Sequence, residues 1–425
     1  MAHLTPRSGY SSLVDRINRF PQGAPPSDLL FSILKMLFSE KEAGLVALLP
    51  IRPFTAKKAA GVWKMKESEA RNHLDRLASR GILLDMEMRG TTRYVLPPPM
   101  AGFFEFSMMR VREDIDQKLL SELFFQYLNR EEEFIRTLFT DGETQLGRVF
   151  VHEPALKKED FLHVLDYEKA TAVIQSARHI GVGTCYCRHK MAHLGRACDA
   201  PMEICMTFGT TARSLTRHGI ARKVEKAQAM DLLDTAYEFG LVQFGENVQR
   251  GVAFICHCCG CCCEALLAAK RFAILQPVHT TNFLPELDPD LCNGCGKCAA
   301  VCPVDAIEFL SGAESGGDGV SVPGIDIEIC LGCGICARAC PTGALSLSRR
   351  PERVLTPVNT AHRTVLMAIE RGKLQNLVFD NQALFSHRAM AALLGVILKL
   401  DPVKKGLAMD QVQSRYVRWL VEKSG

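Results

Sequence analysis

The sequence predicts an α+β, multidomain chain, and three observations carry that prediction. Its 425 residues exceed what one compact core organises. Apolar residues at helical spacing dominate the first, middle and last stretches, broken by short β-rich runs. Between residues 292 and 341 the motif C-x2-C-x2-C-x3-C-P occurs twice, the second copy starting 38 residues after the first. Composition and turn signals divide the chain into a leader and linker (1–27), a helix-and-hairpin region (28–99), a mostly helical cysteine-rich middle (100–284), the two-motif module (285–350) and a helical C-terminal extension (351–425).

The leader reads as loose chain, with a proline-rich linker over 21–26. Ser27 and Asp28 are cap residues for a helix that places Leu30, Ile33, Leu34 and Leu37 on one face. A short helix is expected over 56–62. A third, over 67–79, has Ala70, Leu74 and Leu77 at helical spacing and stops before Gly81. Residues 82–87 and 91–96 then form a hairpin around Arg89 and Gly90, ended by three prolines at 97–99. In the middle region helices are expected over 115–128, 131–139, 167–178, 222–239 and 264–272, with one short strand at 252–255. Residues 311–324 form a glycine- and serine-rich loop between the two motifs. The extension carries helices over 389–398 and 409–421.

A composition of 47% hydrophobic and 23% charged residues is that of an ordinary globular protein. A formal net charge of +4 is too small to argue for nucleic acid or an acidic membrane surface. The first twelve residues hold no apolar signal-peptide core and no twin arginines, and the longest apolar run, 389–398, is too short to span a bilayer. Eighteen cysteines in a chain neither small nor visibly secreted point to a reducing, anaerobic cytoplasm rather than to disulfides.

The repeated motif suits thiolates converging on iron. In this spacing three cysteines of one tight loop take three corners of a [4Fe–4S] cubane, and the fourth reaches across to the other cluster. That pairing assigns Cys292, Cys295, Cys298 and Cys340 to one cluster, and Cys330, Cys333, Cys336 and Cys302 to the other. Gly294, Gly296, Gly332 and Gly334 permit positive φ and let backbone amides approach sulfide. Apolar runs at 304–310 and 344–347 read as the strands that follow each loop. Residues 286–348 thus resemble the bacterial-type two-cluster ferredoxin domain, which implies two [4Fe–4S] clusters on these eight cysteines. A pair of zinc knuckles is the competing reading, and two perfect copies with a trailing proline disfavour it.

Ten cysteines remain: Cys185, Cys187, Cys198 and Cys205, then Cys256, Cys258, Cys259, Cys261, Cys262 and Cys263. Six thiols within eight residues need a metal to stay ordered and unscrambled. Side chains of sequence neighbours diverge, so Cys258 and Cys259, like Cys261 through Cys263, serve different clusters or remain free. Three chemistries stand open: one or two further Fe–S clusters, structural zinc on Cys185, Cys187, His189 and His193, or a reactive thiol site. One cluster could take Cys185, Cys187, Cys198 and Cys205 and another four of the later six, or ligands could be exchanged between the groups. Arg188 and Lys190 are cations that would raise a cluster potential, or solvated loop charges. His257 is a candidate ligand or donor to sulfide. Glu264 suits the first turn of a helix or a catalytic acid, and Asp199 and Glu203 read as structural.

The tripeptide Cys258-Cys259-Gly260 resembles the CCG signature of heterodisulfide-reductase catalytic subunits, without that family's long spacings. The N-terminal helices and hairpin resemble a winged helix-turn-helix. Together with GTCYCRH, CHCCGCCC and the two-cluster module, the chain resembles a group of 4Fe–4S proteins from anaerobic bacteria, a resemblance that implies an architecture and no particular reaction.

No dinucleotide-binding fingerprint, P-loop, HExxH or nucleophile elbow is present. The expected function is electron transfer, through two or more clusters, to or from a redox partner such as a flavoprotein or reductase. This makes the chain an electron-transfer protein or an oxidoreductase subunit. One alternative is a redox-responsive DNA-binding regulator. It is disfavoured because residues 28–99 carry only twelve basic against eight acidic side chains, and Glu67, Glu69 and Asp75 accompany Arg71, Asn72, His73 and Arg76 on the recognition helix. A second alternative is a reductase with its site at 256–263.

Overall fold

The computed structural model describes residues 8–398 except 141, 158–163, 272–279, 310–321, 352–353, 355 and 381–383. The expected helix over 409–421 and most of the expected loop over 311–324 lie outside the described residues. The architecture is mixed helix and sheet.

Helix Asp28–Leu37 is capped by Ser27, whose side chain accepts from the Leu30 amide at 3.2 Å, and it buries Leu30, Ile33, Leu34 and Leu37. Helices Ala56–Trp63 and Glu67–Ser79 follow, the latter burying Ala70, Leu74 and Leu77. Strands β1 (Leu84–Met88) and β2 (Thr91–Val95) pair antiparallel around Arg89 and Gly90. Both turn residues have positive φ (50° and 74°), the twist that a two-residue hairpin needs. Two further helices appear. Glu40–Ala47 is set by a capping box between Ser39 and Glu42. Gly9–Arg19 occupies the stretch expected as loose leader, capped by Ser8 and buried through Leu13, Val14 and Ile17.

The middle region departs from the mostly helical expectation. It is organised on a six-stranded antiparallel sheet in the order β3-β7-β8-β5-β4-β6. The strands are β3 (Gly147–Val149), β4 (Ile180–Thr184), β5 (Glu203–Phe208), β6 (Arg222–Val224), β7 (Val242–Glu246) and β8 (Phe254–Cys258). Every residue of β7 and four of five in β4 are buried, so both faces of these strands are covered, and the polar and glycine positions that alternate with apolar ones in VQFGE and IGVGT lie inside as well. Helices Ala170–Ser176 and Lys226–Glu238 cover one face through Ile174, Leu233 and Tyr237, which pack on Ile180, Val182 and Met206. Phe124, Tyr186 and Phe244 join the N-terminal helices in the core on the other face. The helix expected over 222–239 begins at Lys226, because Glu225 and Gln228 form a capping box there.

The two-motif module pairs β9 (Phe283–Leu287) with β12 (Leu345–Arg349), and β10 (Ile307–Phe309) with β11 (Pro323–Ile325). Short helices Lys297–Ala300 and Ile335–Ala339 follow the cysteine loops. The His152 amide donates to the Cys333 carbonyl at 2.9 Å, and Leu331 and Cys333 belong to the main core. Helices Thr360–Glu370, Leu374–Val378 and Phe385–Leu398 complete the described chain. Among the described residues no helix is long and apolar enough to cross a membrane.

Candidate metal centres

The two motif loops turn through Gly294, Gly296, Gly332 and Gly334, all with positive φ (68°, 73°, 66° and 88°). At Gly332 the fit is closest: a Cβ would lie 2.0 Å from the Phe283 carbonyl oxygen. Backbone amides already address sulfur here, Gly332 donating to Cys330 Sγ at 3.4 Å and Ala306 to Cys302 Sγ at 3.2 Å. Cys330, Cys333 and Cys336 are buried, and burial pushes all three thiols up, Cys333 to about 12, with the charge of Cys302 adding to each. Burial likewise raises Cys298, with Cys292 and Cys295 adding. Cys302 thus lies close to Cys330, Cys333 and Cys336, and Cys292 and Cys295 close to Cys298, while Cys298, Cys302 and Cys336 share one apolar cluster. Cys340 packs with Cys298, Cys302 and Cys336, its Sγ 3.6 Å from Thr342 Oγ1. Cys295 is exposed and Cys292 half-buried, so the first loop faces solvent and the second faces the core.

The ten other cysteines fall into a tetrad and a hexad. Cys198, Cys259, Cys261 and Cys262 have their sulfurs all within 4.8 Å of one another, the one such group of metal-ligating side chains among the described residues. Individual separations are 3.5 Å for Cys198–Cys259, 3.6 Å for Cys261–Cys262 and 3.9 Å for Cys262–Cys198. The hydrogen bond from Cys262 and, against burial, the Arg188 guanidinium hold the Cys259 thiol down to about 4.

The hexad lies at the ends of the central strands. Cys205 is on β5, and Cys256 and Cys258 share one face of β8 with His257 on the other. Cys185 caps helix Tyr186–His193 directly after β4, Cys187 sits in its first turn, and Cys263 precedes helix Glu264–Arg271. Hydrogen bonds link Cys185 to Cys205 and Cys205 to Cys256, and likewise Cys187 to Cys263 and Cys263 to Cys258. The bonds to Cys205 and Cys263, followed by burial, push Cys185 and Cys187 far up. All six line a cavity of about 110 Å³.

Of the groupings the sequence left open, the structure has an exchange between the two groups. Cys198 leaves Cys185, Cys187 and Cys205 to join the later run, because the loop from Leu194 to Met202 carries it over Cys259. Cys259, Cys261 and Cys262 belong to the tetrad and Cys258 and Cys263 do not, although Cys258, Cys259, Cys262 and Cys263 all line the cavity. The Cys185, Cys187, His189, His193 tetrahedron is not assembled: His189 Nδ1 is 2.7 Å from the Met108 carbonyl and its Nε2 is 3.2 Å from His193.

The charged residues are not loop decoration. Arg188 and Lys190 are both 0% exposed. Arg188 Nη2 donates to the His257 carbonyl at 3.1 Å and lies 3.8 Å from Cys259 Sγ, between tetrad and hexad. Lys190 is paired with Glu264, whose second oxygen accepts from Asn129 Nδ2 at 3.0 Å, which gives Glu264 a structural task at the start of its helix. Burial, then Arg188, pushes His257 down to about 3, so its ring is neutral. Asp199 and Glu203 are exposed. Glu105 and Tyr186, which sequence reasoning missed, line the cavity; burial pushes Glu105 up to about 7. Glu105 is remote in sequence from every cysteine, whereas Tyr186 stands between Cys185 and Cys187 and could have been singled out with them.

Comparison with known proteins bears on the two-motif module. The 4Fe-4S dicluster domain family matches residues 291–344. Ferredoxin-type proteins NapF of Escherichia coli strains K12, O6:H1 and O157:H7 are each 42% identical over 57 residues, 13% of this chain and 32% of their own length. The chain thus spans about a third of the length of the curated relatives it matches. No solved structure matches. Residues 291–344 form a 4Fe-4S dicluster ferredoxin domain, similar over this stretch to ferredoxin-type proteins.

Proposed function

We infer that this chain transfers low-potential electrons between a redox partner and metal centres in its cysteine-rich middle region. The dicluster domain would be the entrance, and the tetrad of Cys198, Cys259, Cys261 and Cys262 would hold a third [4Fe–4S] cluster. One observation carries the reading: Gly260, inside the tetrad loop, packs so closely on Pro303 that a Cβ at 260 would lie 2.4 Å from the Pro303 carbonyl oxygen. Pro303 follows Cys302, the cysteine that would cross to the buried cluster. A path then runs from the exposed first loop, through Cys302 and the buried second loop, to the tetrad.

A first cluster would take Cys292, Cys295, Cys298 and Cys340, a second Cys302, Cys330, Cys333 and Cys336. The iron and sulfide would carry the electron, and burial, amide donors and Arg188 would set the potentials. Leu291 and Val301 are exposed apolar side chains beside and within the first loop and fit a protein partner, a flavoprotein or reductase, docking there. Residues 28–99, read as a winged helix, would serve as a docking module in the cytoplasm. DNA binding draws no support from helix Glu67–Ser79, since Arg71 faces Glu67 at 3.5 Å and Arg76 faces Glu42 at 3.8 Å.

The test is dithionite titration of anaerobically purified protein followed by electron paramagnetic resonance. Stepwise one-electron reduction of at least three clusters is expected. Clusters inert to dithionite would overturn electron transfer, and zinc bound to the tetrad would remove the third station.

A further inference from the structure

We propose that the cavity between Cys185, Cys187, Cys205, Cys256, Cys258 and Cys263 is the site of one additional iron–sulfur cluster that both halves of the hexad hold in common. The inference goes beyond the electron path, which needs only the dicluster domain and the tetrad.

Sulfur donors dominate the lining at this end of the sheet. The six hexad thiols, joined by Cys259 and Cys262 of the tetrad, outnumber the Glu105 carboxyl, the Tyr186 phenol and the Glu264 carboxyl, which is paired with Lys190. No imidazole lines it, and the set favours iron–sulfur clusters, zinc or Cu(I) over harder metals. Zinc takes four ligands in a closed tetrahedron. No four of these six converge as the tetrad does; within 4.8 Å the tetrad alone qualifies among the described residues. The hexad is instead two linked triads, 185-205-256 and 187-263-258, spaced around a volume of about 110 Å³. Such spacing suits a body with several metal atoms, touched from both sides, rather than a single ion.

The wall of the cavity points the same way. Tyr186 is 4% exposed and its phenol oxygen has no hydrogen-bond partner, which leaves a buried donor for sulfide or thiolate. Arg188, 0% exposed, has its Nε equally unpartnered and places a fixed positive charge beside Cys185 and Cys205. A cluster carrying this many thiolates is strongly anionic and needs both.

The experiment uses the full chain, reconstituted anaerobically with ferrous iron and sulfide. In the double variant Cys198→Ser/Cys261→Ser the tetrad is removed and the hexad left whole. Iron is expected to stay above the roughly 8 atoms that two cubanes hold, with a Mössbauer component distinct from theirs. Iron at about 8, or zinc making up the difference, overturns the proposal. Cys205→Ser and Cys263→Ser, one from each triad, are each expected to remove that same component. Two different components lost separately would mean two independent sites and overturn the shared cluster. The paramagnetic signature of the dicluster domain is read in every sample, so failure of the electron-entry reading is seen apart from failure at the hexad, and folding of each variant is checked in the same spectrum.

Discussion

Gly260 and Pro303, 43 residues apart in sequence, are in backbone-to-backbone contact, and the space between them does not admit a methyl group. The contact joins the loop that carries three of the four tetrad cysteines to the residue after Cys302. Gly260→Ala forces one backbone away from the other, an overpacking that costs about 1–3 kcal/mol. The dicluster domain is expected to keep its clusters while electron passage to the middle region slows. Freeze-quench spectroscopy after a reducing pulse measures this; unchanged transfer would show that the contact is not part of the path.

The positions of Cys302 and Cys340 make opposite predictions for the two cubanes. Cys302→Ser should remove the buried cluster, with loss of about four iron atoms, and leave the solvent-facing one. Cys340→Ser should do the reverse. Signals that disappear together in both variants would contradict the crossed assignment.

Arg188 offers a test of potential. Its guanidinium lies beside Cys259, and a buried cation favours the more negative, reduced form of a cluster. Arg188→Gln should lower the midpoint potential of the tetrad cluster by roughly 60 mV, a tenfold change for one electron. Arg188→Lys should restore part of it. A redox titration in which the potential stays or rises would count against this role.

Asp85 fastens the β1–β2 hairpin to helix Gly209–Arg217, bonded by Ser214 at 2.6 Å, Arg217 at 2.5 Å and His218 at 3.2 Å. Burial raises its carboxyl, and the hydrogen bonds from His218, Ser214 and Arg217 outweigh that, holding it down to about 2. Because the folded value is depressed, the unfolded chain binds the proton more readily. The stabilisation is full above the ordinary carboxylate value and is lost as pH falls through the folded one. Asp85→Asn should therefore cost about 2 kcal/mol at neutral pH, and the difference from the parent should shrink below about pH 4. Urea unfolding of the metal-free chain at pH 7 and pH 3 checks it; an unchanged gap would assign the effect to packing.

The legible parts of this molecule were those whose physics is local. Helix Asp28–Leu37 shows its cap and buried face in ten residues, and the Arg89-Gly90 turn needs only its neighbours. The dicluster loops are compact motifs, so their cysteines can be grouped by spacing. The central sheet was hidden because β4 and β7 are covered on both faces yet carry Gly181, Gly183, Gln243 and Glu246, where a strand buried on both sides is expected to read as a continuous apolar run. The thiol partition was hidden because Cys198 meets Cys259 across 61 residues, through a loop whose path no periodicity encodes. Arg188 and Lys190 look like surface charges until the sheet and helices close over them.

The stretch from Cys256 to Cys263 behaves like a reading frame. On the proposed assignment Cys256 and Cys258 would serve one centre, Cys259, Cys261 and Cys262 another, and Cys263 the first again, with Cys259 and Cys262 also lining the cavity. Inserting or deleting a single residue here would not weaken one centre and spare the other. It would reassign thiols on both, so the spacing of these eight residues can change only as a whole.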